Sequence, residues 1–310
     1  MLNLRFVTRG TFTVLLAICS LSAVAAGDPQ RLDAASIEQL TGLHGTYSST
    51  ENVFKVSSPR NDVTFRVDNW DMPTFMGLTS WAAFTPAHDG RVMMMGDTVL
   101  LEDEVNPAMS AALDAGLEVT ALHNHFFFDK PKVFFMHVGG TGNINQLAGG
   151  IRKVYDRISE IRAAAPIPAA GFAGQIPATN AITPAPLEAV FQAKGQTSNG
   201  MFKVVIGRPG SMHGVAVANE MGINTWAAFA GNDDNAVVDG DFAMFENELQ
   251  PVLKAMRAGG INIVAIHQHM AGEQPRYLFL HYWGKGRAVD LAKTIQQALA
   301  VQSIASNQHH

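Results

Sequence analysis

What most limits the folds open to this chain is that it contains itself twice. The stretch "GDTVLLEDEVNPAMSAALDAGLEVTALHNHFFFDKPKVFFMH" (96–137) aligns without a gap to "GDFAMFENELQPVLKAMRAGGINIVAIHQHMAGEQPRYLFLH" (240–281), with 13 of 42 positions identical at a constant register of 144. Upstream, "TSWAAF" (79–84) answers "NTWAAF" (224–229) and "VFKV" (53–56) answers "MFKV" (201–204). Self-similarity at this length means one folding unit used twice, so the fold must be buildable from two equivalent halves. The expected organisation is a first repeat over 35–165 and a second over 185–303. Between them, 166–184 ("PIPAAGFAGQIPATNAITP") has the composition of a linker.

Each copy reads as α+β. The runs "VFKV", "VTFRV", "WAAF" and "VMMM" are strand-like, while "VNPAMSAALDAG" and its answer "LQPVLKAMRAGG" are helices closed by Gly116 and by Gly259 and Gly260. Two more strands follow, then a last helix near Asn145 to Ala164 or Arg287 to Leu299. On the first of these, Ile151, Val154, Tyr155 and Ile158 recur at helical spacing and should cover a sheet. The fold class expected is two tandem copies of one mixed α/β domain, each with a sheet carrying a histidine-bearing hairpin and helices packed on it.

That hairpin holds the chemistry. "ALHNHFFFDKPKVFFMH" places His123, His125 and His137 among phenylalanine and valine, and "AIHQHMAGEQPRYLFLH" repeats them as His267, His269 and His281. Strand side chains alternate, so His123 and His125 share a face, about 6.6 Å apart along the chain. With a turn at Lys130 to Lys132, His125 should stand across from His137. Three imidazoles with a fourth position open make the donor set of a catalytic zinc site. The plain alternative, a polar pocket of histidines bonded to one another, accounts for one trio more easily than for two trios kept while most neighbours changed.

A carboxylate often completes such a site. Glu102 and Glu246 recur at the strand end before the helix and are the expected fourth ligand or general base. Glu104 and Glu248 read as charges stabilised by the helix dipole, and Asp97 and Asp241, each after glycine, as turn formers. "VGGTG" and "YWGKG" after the third histidine read as tight glycine turns, with anion binding at the next helix as the sharper alternative.

The first residues, "MLNLRFVTRGTFTVLLAICSLSAVAAGDPQ", carry Arg5 and Arg9, an apolar run and a small-residue site, which is the pattern of a signal peptide over 1–26. Export to the periplasm or medium is the expectation. Without the two arginines the net charge moves from -5 to about -7 (-5 minus 2), which disfavours nucleic acid as a partner. No segment has the eighteen or so apolar residues of a membrane span. Cys19 is the only cysteine, and with it removed any metal must be held by nitrogen and oxygen.

The assembled residues, above all "MMMGDTVLLEDEVNPAMSAALDAGLEVTALHNHFFFDKPKVFFMHVGGTG", resemble the LppY/LpqO-type family of exported bacterial proteins. That family includes lipoproteins, but Ile18 stands where a lipidation box has Gly or Ala, so a lipid anchor at Cys19 is not expected. The His-x-His…His spacing is similar to the zinc site of acetolactate decarboxylase, with Glu102 as the matching carboxylate. The resulting expectation is a divalent metal, zinc first, in each repeat, serving a lyase or hydrolase that acts on a small oxygen-rich substrate. Its alternative is a non-catalytic metal-binding or cell-envelope binding module. The sequence sets no oligomeric state.

Overall fold

The structure, a computed structural model, describes residues 32–307; the expected signal peptide and Cys19 lie outside the described residues. Twelve strands form one sheet. In the first repeat they are β1 (Gly45–Ser48), β2 (Val53–Pro59), β3 (Thr79–Pro86), β4 (Val92–Leu101), β5 (Glu118–His123) and β6 (Val133–Gly142). In the second they are β7 (Gln196–Ser198), β8 (Met201–Gly207), β9 (Asn224–Gly231), β10 (Ala236–Phe245), β11 (Asn262–His267) and β12 (Tyr277–Gly286). Their order is β1-β2-β3-β4-β6-β5-β11-β12-β10-β9-β8-β7, antiparallel throughout. The second half retraces the first in reverse, so the two copies meet through β5 and β11 and share one sheet.

Helices α1 (Ala34–Thr41), α2 (Val105–Asp114), α3 (Ile144–Ala164), α4 (Pro184–Phe191), α5 (Leu249–Ala258) and α6 (Ala288–Asn307) complete the fold. Ile151, Val154 and Ile158 of α3 are buried with Met94, Leu122 and Met136 of the first sheet half and Ile266 and Leu280 of the second, in one core running through both repeats. Tyr155 is part-buried beside them. On the opposite face, Phe65, Leu78, Val99, Leu101 and Phe135 form a smaller core under the segment between β2 and β3, and Ile223, Ala243, Tyr277 and Phe279 answer it. With both faces covered, Thr98 to Leu101 of β4 are all buried instead of alternating. "VTFRV" contributes only Arg66 and Val67 to a strand, in a small sheet against Asp129 and Lys130. "VGGTG" and "YWGKG" are strand, the ends of β6 and β12, and not the glycine turns expected.

The seam between repeats is held by an exchange. The Asn106 carboxamide, at the start of α2, donates to the carbonyl of Ile263 at 3.1 Å and accepts its N–H at 2.7 Å. Gln250, which the register of 144 makes its counterpart, does the same to Val119, at 2.9 and 3.0 Å. Main-chain pairing between β5 and β11 is confined to Leu122 opposite Ile266. A carboxamide has one acceptor and N–H donors, the groups a neighbouring strand residue would present, so each repeat supplies a side chain where the other lacks a strand partner.

Glu104 and Glu248 stand at the N-caps of α2 and α5, as the dipole reading expects, but both are fully buried and paired. Glu104 accepts from the N–H of Leu101 at 2.8 Å and from Arg60 at 2.7 and 3.0 Å, and Arg162 of α3 lies 2.7 Å away. Glu248 accepts from Arg208 at 2.5 Å, from the N–H of Phe245 at 2.8 Å and from Gln302 at 3.0 Å. The carboxylate ties the strand end to the helix, which is a structural task.

Candidate metal centres

Leu122 and Ile266 face the helix-side core, so the residues one step along, His123 and His267, project to the other side of the sheet. Neighbouring strands extend that row. His137 of β6 is paired with Ala121 and with Asp97 of β4, while His281 of β12 is paired with Ala265 and with Asp241 of β10. Both histidine clusters therefore lie on the face away from the helices, on either side of the seam.

The rings converge. In the second repeat His267 lies 5.1 Å from His269 and 4.8 Å from His281 between ring centroids; in the first, His123 lies 5.0 Å from His125 and 5.1 Å from His137. His125 does not stand opposite His137 as expected: β5 ends at His123, which pairs with Phe135, and the connection to β6 runs from 124 to 132, longer than the three-residue turn expected, so His137 faces Ala121. His125 folds back instead and stacks on Phe135 at 3.4 Å, as His269 stacks on Phe279 at 3.5 Å.

Among the described residues, Asp241, His267 and His269 are the group whose donor atoms all lie within 4.8 Å of one another. His269 Nε2 is 2.9 Å from a carboxylate oxygen of Asp241, an ion-pair contact somewhat closer than the spacing of about 3.4 Å between two donors of a tetrahedral ion with bonds of about 2.1 Å. The far nitrogens are occupied: His269 Nδ1 donates to the carbonyl of Gly222 and His281 Nδ1 to that of Gly240, both at 3.2 Å. A carbonyl oxygen only accepts, so each Nδ1 is the donor, and the ring is held from its far side as a ligating histidine's is. His267 Nε2 and the second oxygen of Asp241 are buried without a protein partner. Burial lowers the pKa of His267, favouring the neutral, ligating form, and likewise that of His125; burial raises that of Asp241, against the pull of His281, His269 and His267. In the first repeat an oxygen of Asp97 is also buried and unpartnered, but the donors there form no group as tight among the described residues.

Glu102 and Glu246 are not brought to the histidines. Glu102 lines a cleft with Asn106 and Arg257, and Glu246 one with Glu118 and Gln250, both flanking the α2 and α5 starts. The carboxylates beside the histidines are Asp97 and Asp241, which are not turn formers, since each sits mid-strand. The glycine before each is there for space: a Cβ on Gly96 would stand 2.7 Å from the carbonyl of Trp81, and one on Gly240 would strike Tyr282 and the carbonyl of Trp226. Recurrence of Gly-Asp in both copies was the signal available; the strand order that sets β4 beside β6 was not.

These features define a duplicated α+β protein with a histidine and aspartate cluster in each half. The chain belongs to the family described as Domain of Unknown Function (DUF1259), whose model matches residues 35–157 and again 185–301. No curated protein matches. Two solved structures show distant likeness. The trimeric bacterial microcompartment shell protein PduB has 9% identity over 86% of this chain and 93% of its own, with a TM-score of 0.22. The double ringed trimeric shell protein MSM0271 from the RMM microcompartment has 12% identity over 71% and 85%, with a TM-score of 0.19.

No described helix is long and apolar enough to cross a membrane.

Proposed function

We propose that this is an exported metal-binding protein with one divalent-ion site per repeat, zinc the favoured ion. The ligands would be His267, His269, His281 and Asp241 in the second repeat and His123, His125, His137 and Asp97 in the first. The observation that carries this reading is the buried, unpartnered Nε2 of His267 in a group whose donors lie within 4.8 Å. Without a cation, a lone-pair nitrogen and a carboxylate have been desolvated together for no return. Nitrogen and oxygen donors suit a borderline ion such as zinc.

The His269 side chain keeps 29% of its surface accessible, so the second cluster opens to solvent on one edge. An open edge supports a working ion over a sealed structural one. When bound there, zinc would polarise a carbonyl or activate water on a small oxygen-rich substrate, the chemistry of a hydrolase or lyase. The resemblance to the LppY/LpqO-type family and to the acetolactate decarboxylase spacing agrees with this reading, as does the signal-peptide pattern for export.

The test is elemental analysis of untagged mature chain prepared without chelator. One to two zinc ions per chain are expected, and none overturns the proposal. Chelation should then lower the melting temperature by only a few degrees; unfolding on chelation would reassign the ion to a structural role.

A further inference from the structure

The exchange at the seam leaves two grooves related by the repeat, and the protein has treated them differently. One is lined by Glu246, Gln250 and Glu118. The other is lined by their counterparts Glu102, Asn106 and Asn262 and is flanked by the exposed linker residues 169–173, which leave a half-open cleft of about 340 Å³, a volume in the range of small-molecule sites. This linker stretch is fastened at both ends. The N–H of Ala169 donates to Asp103 at 3.0 Å, and the ammonium of Lys285 donates to the carbonyls of Phe172 and Gly174 at 3.0 and 3.1 Å.

Two charges of opposite sign line the cleft, Arg257 half-buried within it and Glu102 exposed at its mouth. Arg257 stands where the first repeat has Leu113. Its guanidinium donates to Ser110 Oγ, the carbonyl of Ile261 and Asn262 Oδ1, all uncharged, and no carboxylate pairs with it among the described residues. Burial lowers its pKa, as expected of a cation without a counter-ion. Glu102 has no ion-pair partner among the described residues either, although it lines the same cleft. Pro107, Ala170 and Phe172 supply an apolar wall.

We infer that this cleft binds a small apolar zwitterion, a free amino acid or the like, with its carboxylate on Arg257, its ammonium on Glu102 and its side chain against Pro107 and Phe172. The site shares no residue with the histidine clusters and stands or falls apart from the metal reading. A ligand that meets both charges is favoured over a simple anion or a simple cation, either of which would leave one of them unpaired.

Isothermal titration of the full mature chain with L-leucine, leucinamide and N-acetyl-L-leucine tests this. Leucine should bind with a dissociation constant of about 1 mM or tighter, and each singly charged analogue more than about tenfold more weakly. Arg257→Leu, which installs the first repeat's own residue, and Ala170→Trp, which fills the cleft from the linker side and leaves Arg257 in place, should each abolish leucine binding with an unchanged circular dichroism spectrum. His267→Ala should leave it unaltered. No heat with leucine at about 10 mM, equal affinity for leucinamide, or leucine binding that survives both cleft variants would overturn the inference.

Discussion

In the second repeat the turn before β9 leans onto the histidines, and the Gly222 carbonyl accepts a hydrogen bond from His269 Nδ1. In the first repeat the equivalent turn, Thr74–Met76, makes no hydrogen bond to His125 among the described residues and holds Phe75 out, 96% exposed. Phe127 and Phe128 stand exposed beside it, where the second repeat has Ala271 and Gly272. The sheet register that sets Asp beside His is common to both halves. Of the outer hydrogen bonds in the second half, the one on His269 comes from a loop and the one on His281 from β10 itself. The same backbone thus yields one tight donor cluster and one looser, apolar-rimmed cluster.

The comparison can be pressed first at the buried carboxylates. Glu104 serves two arginines that are nearly sealed from solvent, whereas Glu248 serves one whose side chain is 17% exposed. Glu104→Leu should cost about 3–5 kcal/mol in denaturant titrations, because it strands buried charge. Glu248→Leu should cost less; equal losses would mean that the first repeat is no more sealed than the second. Next comes the metal itself. Asp241→Asn should weaken zinc binding by at least about 10–100-fold, read by competition with a chromogenic chelator, and Asp97→Asn by less. A larger effect from Asp97 would reverse the assignment of the tighter site.

The seam tests equivalence instead of difference. Asn106→Leu and Gln250→Leu each leave an N–H and a carbonyl of the opposite repeat unpaired, so each should cost about 1–3 kcal/mol and by similar amounts. The smallest effect belongs to the rim: Phe127→Ser should shift stability by no more than about 0.5 kcal/mol, since the side chain is 81% exposed. A greater loss in a thermal melt would show that the rim is packed in solution.

The duplication, the helices and the six histidines were legible because they are local: each is a pattern within a few dozen residues. Asp97 and Asp241 were misread because their partners lie across a strand that enters the chain forty residues later, and a Gly-Asp pair alone looks like a turn. His125 opposite His137 follows only from a three-residue hairpin turn, and the longer connection over 124–132, part of which pairs with Arg66 and Val67, defeats that count. Glu102 stands at a strand end, which is all the sequence offers in its favour, whereas Asp97 meets the row of rings because it is paired with His137, a long-range fact. The joining of two copies into one sheet was likewise out of reach, since one backbone bridge and two carboxamides carry it.

The carboxamide exchange at the seam has a consequence for any half of this molecule made alone. A single copy would carry an unclothed β5 or β11 rim and an Asn or Gln reaching for a backbone that is no longer there. Two identical halves could satisfy each other about a twofold axis, so a lone repeat should assemble as a homodimer whose join reproduces the middle of the parent chain.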